Sequence, residues 1–155
     1  MRQGSIEFVS LEWDRFGEIL DLAFSVLYEP FGVRWADEVA RGADWMHPAR
    51  GTLVAVARDD DGLLGSGWLL PAQGDAQRQV RQLTVRPEVR RQGVGRALML
   101  ALEARAAEEG ASETWLNSRN TAYGFYQSLG YRFEGDEFIS GLTGIPHRAA
   151  RKALR

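Results

Sequence analysis

"LTVRPEVRRQGVGRALMLALEARA", residues 83–106, joins an apolar strand-like run to a helical pattern through a turn holding a proline, basic residues and two glycines. Val94, Leu98, Ala101, Leu102 and Arg105 recur at helical spacing, and Gly110 supplies the stop. The reading is strand, glycine turn, helix. The first N–H groups of a helix lack internal partners and carry the positive end of its dipole, so such a turn is a natural anion site. Phosphate fits that description. Gly93 and Gly95 would let the backbone approach a diphosphate, while Arg90, Arg91 and Arg96 add charge-assisted contacts. The plain alternative is a strand-to-helix turn with solvated arginines. Two common nucleotide loops are excluded, because Leu98 stands where the dinucleotide fingerprint needs a glycine and the chain has no G-x-x-x-x-G-K-[ST].

Working outward, "AQRQVRQLTV" is the strand that feeds this turn, and its alternation slips: Val80 and Gln82 share one face, Leu83 and Val85 the other. A bulge between residues 81 and 84 accounts for the phase change. Upstream, "GTLVAVARDDDGLLGSGWLLPAQ" predicts two apolar strands around an Asp-Gly turn, giving an antiparallel meander. The "GSGW" glycines mark close backbone approach or a bulge, and Ser66 lacks the G-x-S-x-G elbow of a hydrolase. "SIEFVSL" predicts a first strand at 5–11, followed by an amphipathic helix through Phe16, Ile19, Leu20, Ala23, Phe24 and Leu27 with Asp14 as its cap. Residues 27–50 read as turn-rich with a short helix at 35–41. Downstream, "SETWLNS" is a strand reached by a right-handed parallel crossover, "AYGFYQSL" a short helix closed by Gly130, and "YRFEGDEFIS" and "GIPHRAARKAL" two closing antiparallel strands. The expected fold is a mixed α/β, mostly antiparallel sheet of about six to seven strands flanked by about four helices.

The chain has 155 residues with 45% hydrophobic content, enough for one core, and no linker or repeat divides it, so residues 1–155 are expected to form a single domain. A formal net charge of -2 argues against nucleic-acid or membrane-surface partners. The absence of cysteine removes disulfides, thiolate metal sites and a thiol nucleophile. Two histidines, His47 and His147, far apart in the sequence, give no metal-ligand spacing, so no metal is expected. "MRQGSIEFVSLEWD" lacks a leader's apolar core and no apolar run approaches the ~18 residues of a membrane span, so the cytoplasm is the expected location.

"RRQGVG" matches R/Q-x-x-G-x-G/A, and "LTVRPEVRRQGVGRALM" as a whole resembles the coenzyme A pyrophosphate motif of the GNAT N-acetyltransferase superfamily. A second segment, "NTAYGFYQSLGYRFEG", residues 120–135, is similar to the family's later motif, and "GIPH" resembles a little-characterised bacterial branch. The resemblance implies the acyl-CoA N-acyltransferase fold and acetyl-CoA, or another short acyl-CoA, as co-substrate. It implies that the bulged strand at Leu83, Thr84 and Val85 faces the pantetheine arm. Arg91, Gln92, Gly93, Val94, Gly95 and Arg96 would cradle the pyrophosphate, with Arg90 beside them. Where many members carry an asparagine ahead of the tyrosine, this chain has Arg119 with Asn117 and Asn120 on either side, and Tyr123 and Tyr126 complete the expected cofactor contacts.

Moving an acyl group from a thioester to an amine requires a neutral amine, a stabilised oxyanion and a proton for the leaving thiolate. The Val85 N–H is a candidate for the carbonyl, since donors beside a bulge are free of the ladder. Tyr126 resembles the family's proton donor, and a phenol of pKa about 10 suits that task; the plain reading is a core aromatic. Glu29, Glu137 and His147 are candidate bases, each with an ordinary structural reading beside it. Tyr28, Phe31 and Trp35 fall near the expected acceptor pocket. The function expected is direct transfer to the amine of a small molecule in a ternary complex, with a possible homodimer. Alternatives are a non-catalytic acyl-CoA sensor, acetylation of a protein amine, and thioester hydrolysis; an aminoacyl-tRNA acceptor fits poorly with the acidic balance.

Overall fold

The computed structural model describes residues 4–74 and 76–154. Met1–Gln3, which open the stretch read for a leader, and Arg155, the end of the single-domain assignment, lie outside the described residues.

Strands β1 (Ser5–Val9), β2 (Leu53–Asp59), β3 (Gly62–Leu69), β4 (Gln77–Val85), β5 (Glu113–Arg119), β6 (Arg132–Ile139) and β7 (Pro146–Ala153) form one seven-stranded sheet in the order β1-β2-β3-β4-β5-β7-β6. Helices α1 (Phe16–Ala23), α2 (Trp35–Arg41), α3 (Val94–Glu108) and α4 (Tyr123–Ser128) accompany it. This is the expected mixed sheet: every pairing is antiparallel except β4 with β5. That exception positions the site. The parallel pairing runs only from Gln77–Glu113 to Gln79–Trp115 and then stops, so the sheet opens between the C-terminal halves of β4 and β5.

The bulge expected in β4 is present. Ser66 pairs with Thr84 and Trp68 with Arg81, so Gln82 and Leu83 together oppose Gly67. Gln82 takes the left-handed backbone at φ 55 that lets the extra residue fit. The β3 glycines have the packing role expected of them. A Cβ on Gly65 would stand 2.5 Å from the Thr84 carbonyl oxygen, and one on Gly67 would stand 2.9 Å from Leu102 Cδ1. Helix α3 can therefore lie close on this face, burying Leu98, Met99 and Leu102 completely. On the opposite face, Ile19 and Leu22 of α1 pack with Val54, Val56 and Trp68.

The first helix departs from its expected form. Asp14 does not cap it: Arg15 occupies that position with no side-chain hydrogen bond, and its guanidinium instead pairs with Glu18. The regular helix ends at Ala23 and widens into a π turn over Phe24–Tyr28, then a tight turn over Glu29–Phe31. That widening packs Tyr28 on Trp45, with ring centroids 4.7 Å apart. A buried polar cluster ties α3 to the far half of the sheet. Tyr131 donates to Glu103 at 2.9 Å and shares a 2.8 Å bond with Thr114, while the chain's sole lysine, Lys152, donates to Glu103 at 2.7 Å.

Candidate active site

The divergence of β4 from β5 creates a cleft of about 1230 Å³ that runs from the start of α3 to the π turn after α1. Local backbone geometry makes its floor. The Arg86 N–H donates to the Leu64 carbonyl at 2.8 Å. By antiparallel alternation, the neighbouring Gly65–Val85 pair is one whose groups do not bond each other. The Val85 N–H therefore points away from β3, into the gap that β5 has left. Thr84 has the opposite fate: it is buried, and its hydroxyl closes the bulge by donating to the Gln82 carbonyl at 3.1 Å.

At one end of the cleft stands the glycine turn. Arg91 at φ 65 and Gly93 at φ 87 bracket it in left-handed backbone, and Gly93 caps α3 without any side-chain hydrogen bond. No acidic residue occupies the first turn of α3. Its leading N–H groups are thus left to an anion. Gly95 has a second reason to be glycine, since a Cβ there would meet Phe125 at 3.3 Å and Val85 at 3.4 Å. The turn is seated directly against α4 and β4. Arg90, Arg91, Gly93, Val94, Gly95 and Arg96 all line the cleft; Gln92 does not.

The middle of the cleft is lined by two candidate groups, Tyr126 and His147. Tyr126 lines it from α4, edge-on to Phe125 and Tyr131, and burial pushes its phenol pKa well above the ordinary value, with Arg119 opposing slightly. His147 lines it from β7. Its Nδ1 lies 2.8 Å from the Ile145 carbonyl, an atom that only accepts, so Nδ1 carries the proton and Nε2 keeps a lone pair. Burial lowers the His147 pKa, the Ile145 bond partly offsets this, and the Arg119 charge lowers it further. Leu83 and Asn117 line the same space.

Other candidates lie elsewhere. Asn120 and Tyr123 are outside the cleft; Tyr123 packs on Phe133 and donates to Glu137 at 2.9 Å on the outer surface. This also removes Glu137 as a base. Glu29 is exposed and outside the cleft because the turn presents Tyr28 and Phe31, one turn apart, to the inside and rotates Glu29 outward. Trp35 packs edge-on against Phe24 and Trp45 and leaves the lining to Trp45.

Arg81, Gln82 and Arg119 are among the lining residues that were not anticipated. The bulge turns two consecutive side chains to the α1 face: Arg81, paired with Trp68, and Gln82, whose Oε1 accepts from the Tyr28 hydroxyl at 2.8 Å. The phase slip in the sequence carried that signal. Arg119 reaches across the gap, donates from Nη2 to the Leu27 carbonyl and lies over the Phe31 ring at 5.0 Å. Nothing in the local sequence announces so distant a partner.

Comparison with known proteins places this geometry. A family described as an acetyltransferase (GNAT) domain matches residues 50–133. The chain is similar to the uncharacterized N-acetyltransferase YjcF of Bacillus subtilis (strain 168), 36% identical over 94 residues, covering 59% of this chain and 64% of that one. It is also similar to the mycothiol acetyltransferase of Kocuria rhizophila, 38% identical over 98 residues, covering 58% of this chain and 32% of that one. The chain spans about half the length of the curated relatives it matches. In fold it is similar to an aminoglycoside 6'-N-acetyltransferase solved with coenzyme A, with TM-score 0.76, 19% identity and 97% of each chain covered.

Proposed function

This chain belongs to the GNAT acetyltransferase family, and from that premise we propose that it transfers an acetyl group from acetyl-CoA directly to the amine of a small molecule. The observation that carries the reading is the meeting, in one cleft, of an uncapped helix N-terminus, an outward backbone N–H at Val85, Tyr126 and a neutral His147.

The turn from Arg90 to Arg96 binds the pyrophosphate of the co-substrate through the free N–H groups of α3. Val85 N–H donates to the thioester oxygen as charge builds there. His147 Nε2 accepts a proton from the acceptor ammonium, directly or through a water, which frees the nitrogen lone pair. The carbon–nitrogen bond then forms, the carbon–sulfur bond breaks, and the new amide nitrogen sheds its extra proton to water. Tyr126, kept protonated by burial, donates its proton to the departing thiolate and recovers one from solvent. No residue of the chain is acylated, in keeping with the absence of cysteine.

The test is calorimetric titration with acetyl-CoA of the native chain and of the Gly93→Glu/Gly95→Glu variant. Micromolar binding that the variant loses supports the reading. Native protein that binds nothing overturns it.

A further inference from the structure

The acceptor half of the cleft has an unusual charge balance. Among the described residues lining the whole cleft, Asp44 is the single carboxylate, whereas Arg41, Arg81 and Arg119 all stand in the acceptor half. Two of these charges are already committed: Arg41 pairs with Glu38 at 2.8 Å, and Asp44 lies within electrostatic range of Arg41. Arg81 and Arg119 are different. Arg81 is half-buried, and its side chain has no hydrogen bond or ion pair among the described residues. Arg119 is also half-buried, and its contacts are a backbone carbonyl and the face of Phe31, with no carboxylate. Both guanidinium groups act electrostatically on the Tyr28 hydroxyl, as does the Asp44 carboxylate, so two arginines share that region with one carboxylate. Partly dehydrated guanidinium groups that outnumber the carboxylate near them and form no ion pair leave strong, forked donors unused.

The surroundings narrow what the anion belongs to. Arg119 stands opposite His147 in the β5–β7 register and its charge acts on the imidazole, so an anion held at Arg119 lies on the same side of the cleft as the base. Two groups that interact directly across one strand pair suit a molecule whose amine and anionic group are only a few bonds apart. Tyr28, Phe31 and Trp45 provide apolar and aromatic lining beside them. Planar, bidentate recognition by arginine suits a carboxylate.

We propose that the acceptor is a small amino acid-like molecule, its carboxylate held between Arg81 and Arg119, its apolar side chain against Tyr28, Phe31 and Trp45, and its amine presented to His147. This rests on the transferase reading and gives it a substrate class. Polycationic amines are disfavoured by the same charges.

The experiment measures acetyl-CoA-dependent thiol release by the native chain with phenylalanine and leucine, with their carboxamides, and with spermidine. The free amino acids are expected to exceed the carboxamides and spermidine in kcat/KM by at least about tenfold, the scale of one charge-assisted hydrogen bond. Arg81→Gln is expected to collapse that acid-over-amide ratio and Arg81→Lys to restore part of it. Carboxamides or spermidine used as well as the acids would overturn the proposal. If acetyl-CoA binds but no amine is acetylated, the transferase reading falls and the subsite is judged by calorimetry alone. Binding of 3-phenylpropanoate to the coenzyme A-loaded chain that weakens at least about tenfold in Arg81→Gln retains the carboxylate subsite; absent or unchanged binding overturns it.

Discussion

Arg119 and His147 stand opposite each other across β5 and β7, and the guanidinium charge adds to burial in holding the imidazole below its ordinary pKa. The unfolded chain therefore binds the His147 proton more readily than the folded one. Its contribution to stability is complete above the unfolded value of about 6.5 and is lost as pH falls through the lower folded value. The same shift keeps Nε2 available as a base near neutrality. The acidic limb of kcat/KM is expected to have its midpoint below about 6.5, to move upward in Arg119→Gln, and to vanish in His147→Gln with a loss on the order of 100-fold. A pH–rate profile of the three proteins checks this; an unchanged limb in His147→Gln would assign the base elsewhere.

Tyr126→Phe removes the hydroxyl of a buried residue that lines the cleft, the proposed proton donor. We expect kcat to fall by roughly 10- to 100-fold while acetyl-CoA binding, measured by calorimetry, stays within a factor of about two. Because burial raises the phenol pKa, the native profile is expected to show no basic limb from this group up to about pH 10. A variant that matches native kcat would return Tyr126 to a packing role.

Gly93 holds the left-handed position before α3 at φ 87. Gly93→Ala imposes a cost of about 1–2 kcal/mol on that backbone and is expected to weaken acetyl-CoA binding along with thermal stability. Gly95→Ala keeps an ordinary backbone but presses on Phe125 and Val85, so its effect should fall on cofactor affinity through the displaced α4. Melting curves with and without ligand separate the two.

Removing the Tyr131 hydroxyl leaves Thr114 and Glu103 short of a partner in a buried place. Tyr131→Phe should lower unfolding free energy by about 1–3 kcal/mol in urea titration, with turnover altered far less than stability. The removed hydroxyl belongs to the structural cluster behind α3.

Local signals revealed much of this architecture. The slip of alternation at Arg81–Leu83 marked the bulge, and glycines at 93 and 95 marked the helix start that opens into the cleft. What escaped was orientation. That a bulge exists says nothing of which neighbours share its face, so Arg81 and Gln82 were missed although the clue was in hand. Glu29 was placed correctly in chain order but faces outward, because the π turn shifts the rotation of the residues after it. Arg119 finds its partner Leu27 from the opposite side of the cleft, a relation that sequence distance conceals. Asp14 has the composition of a cap, yet Arg15 takes that position.

Lys152 is the only lysine in the chain, and its amine is engaged with Glu103 beside the ring of Tyr131. An ammonium donating to a carboxylate offers no lone pair to an electrophile. Thioesters acylate exposed lysines without any catalyst, so a lysine-rich protein that holds one is gradually modified by its own co-substrate. Here every other basic side chain outside the histidines is an arginine, which such reagents leave untouched. The surface is thus chemically quiet toward activated acyl groups, and acyl label found on the protein would report on that one guarded amine or on the chain terminus.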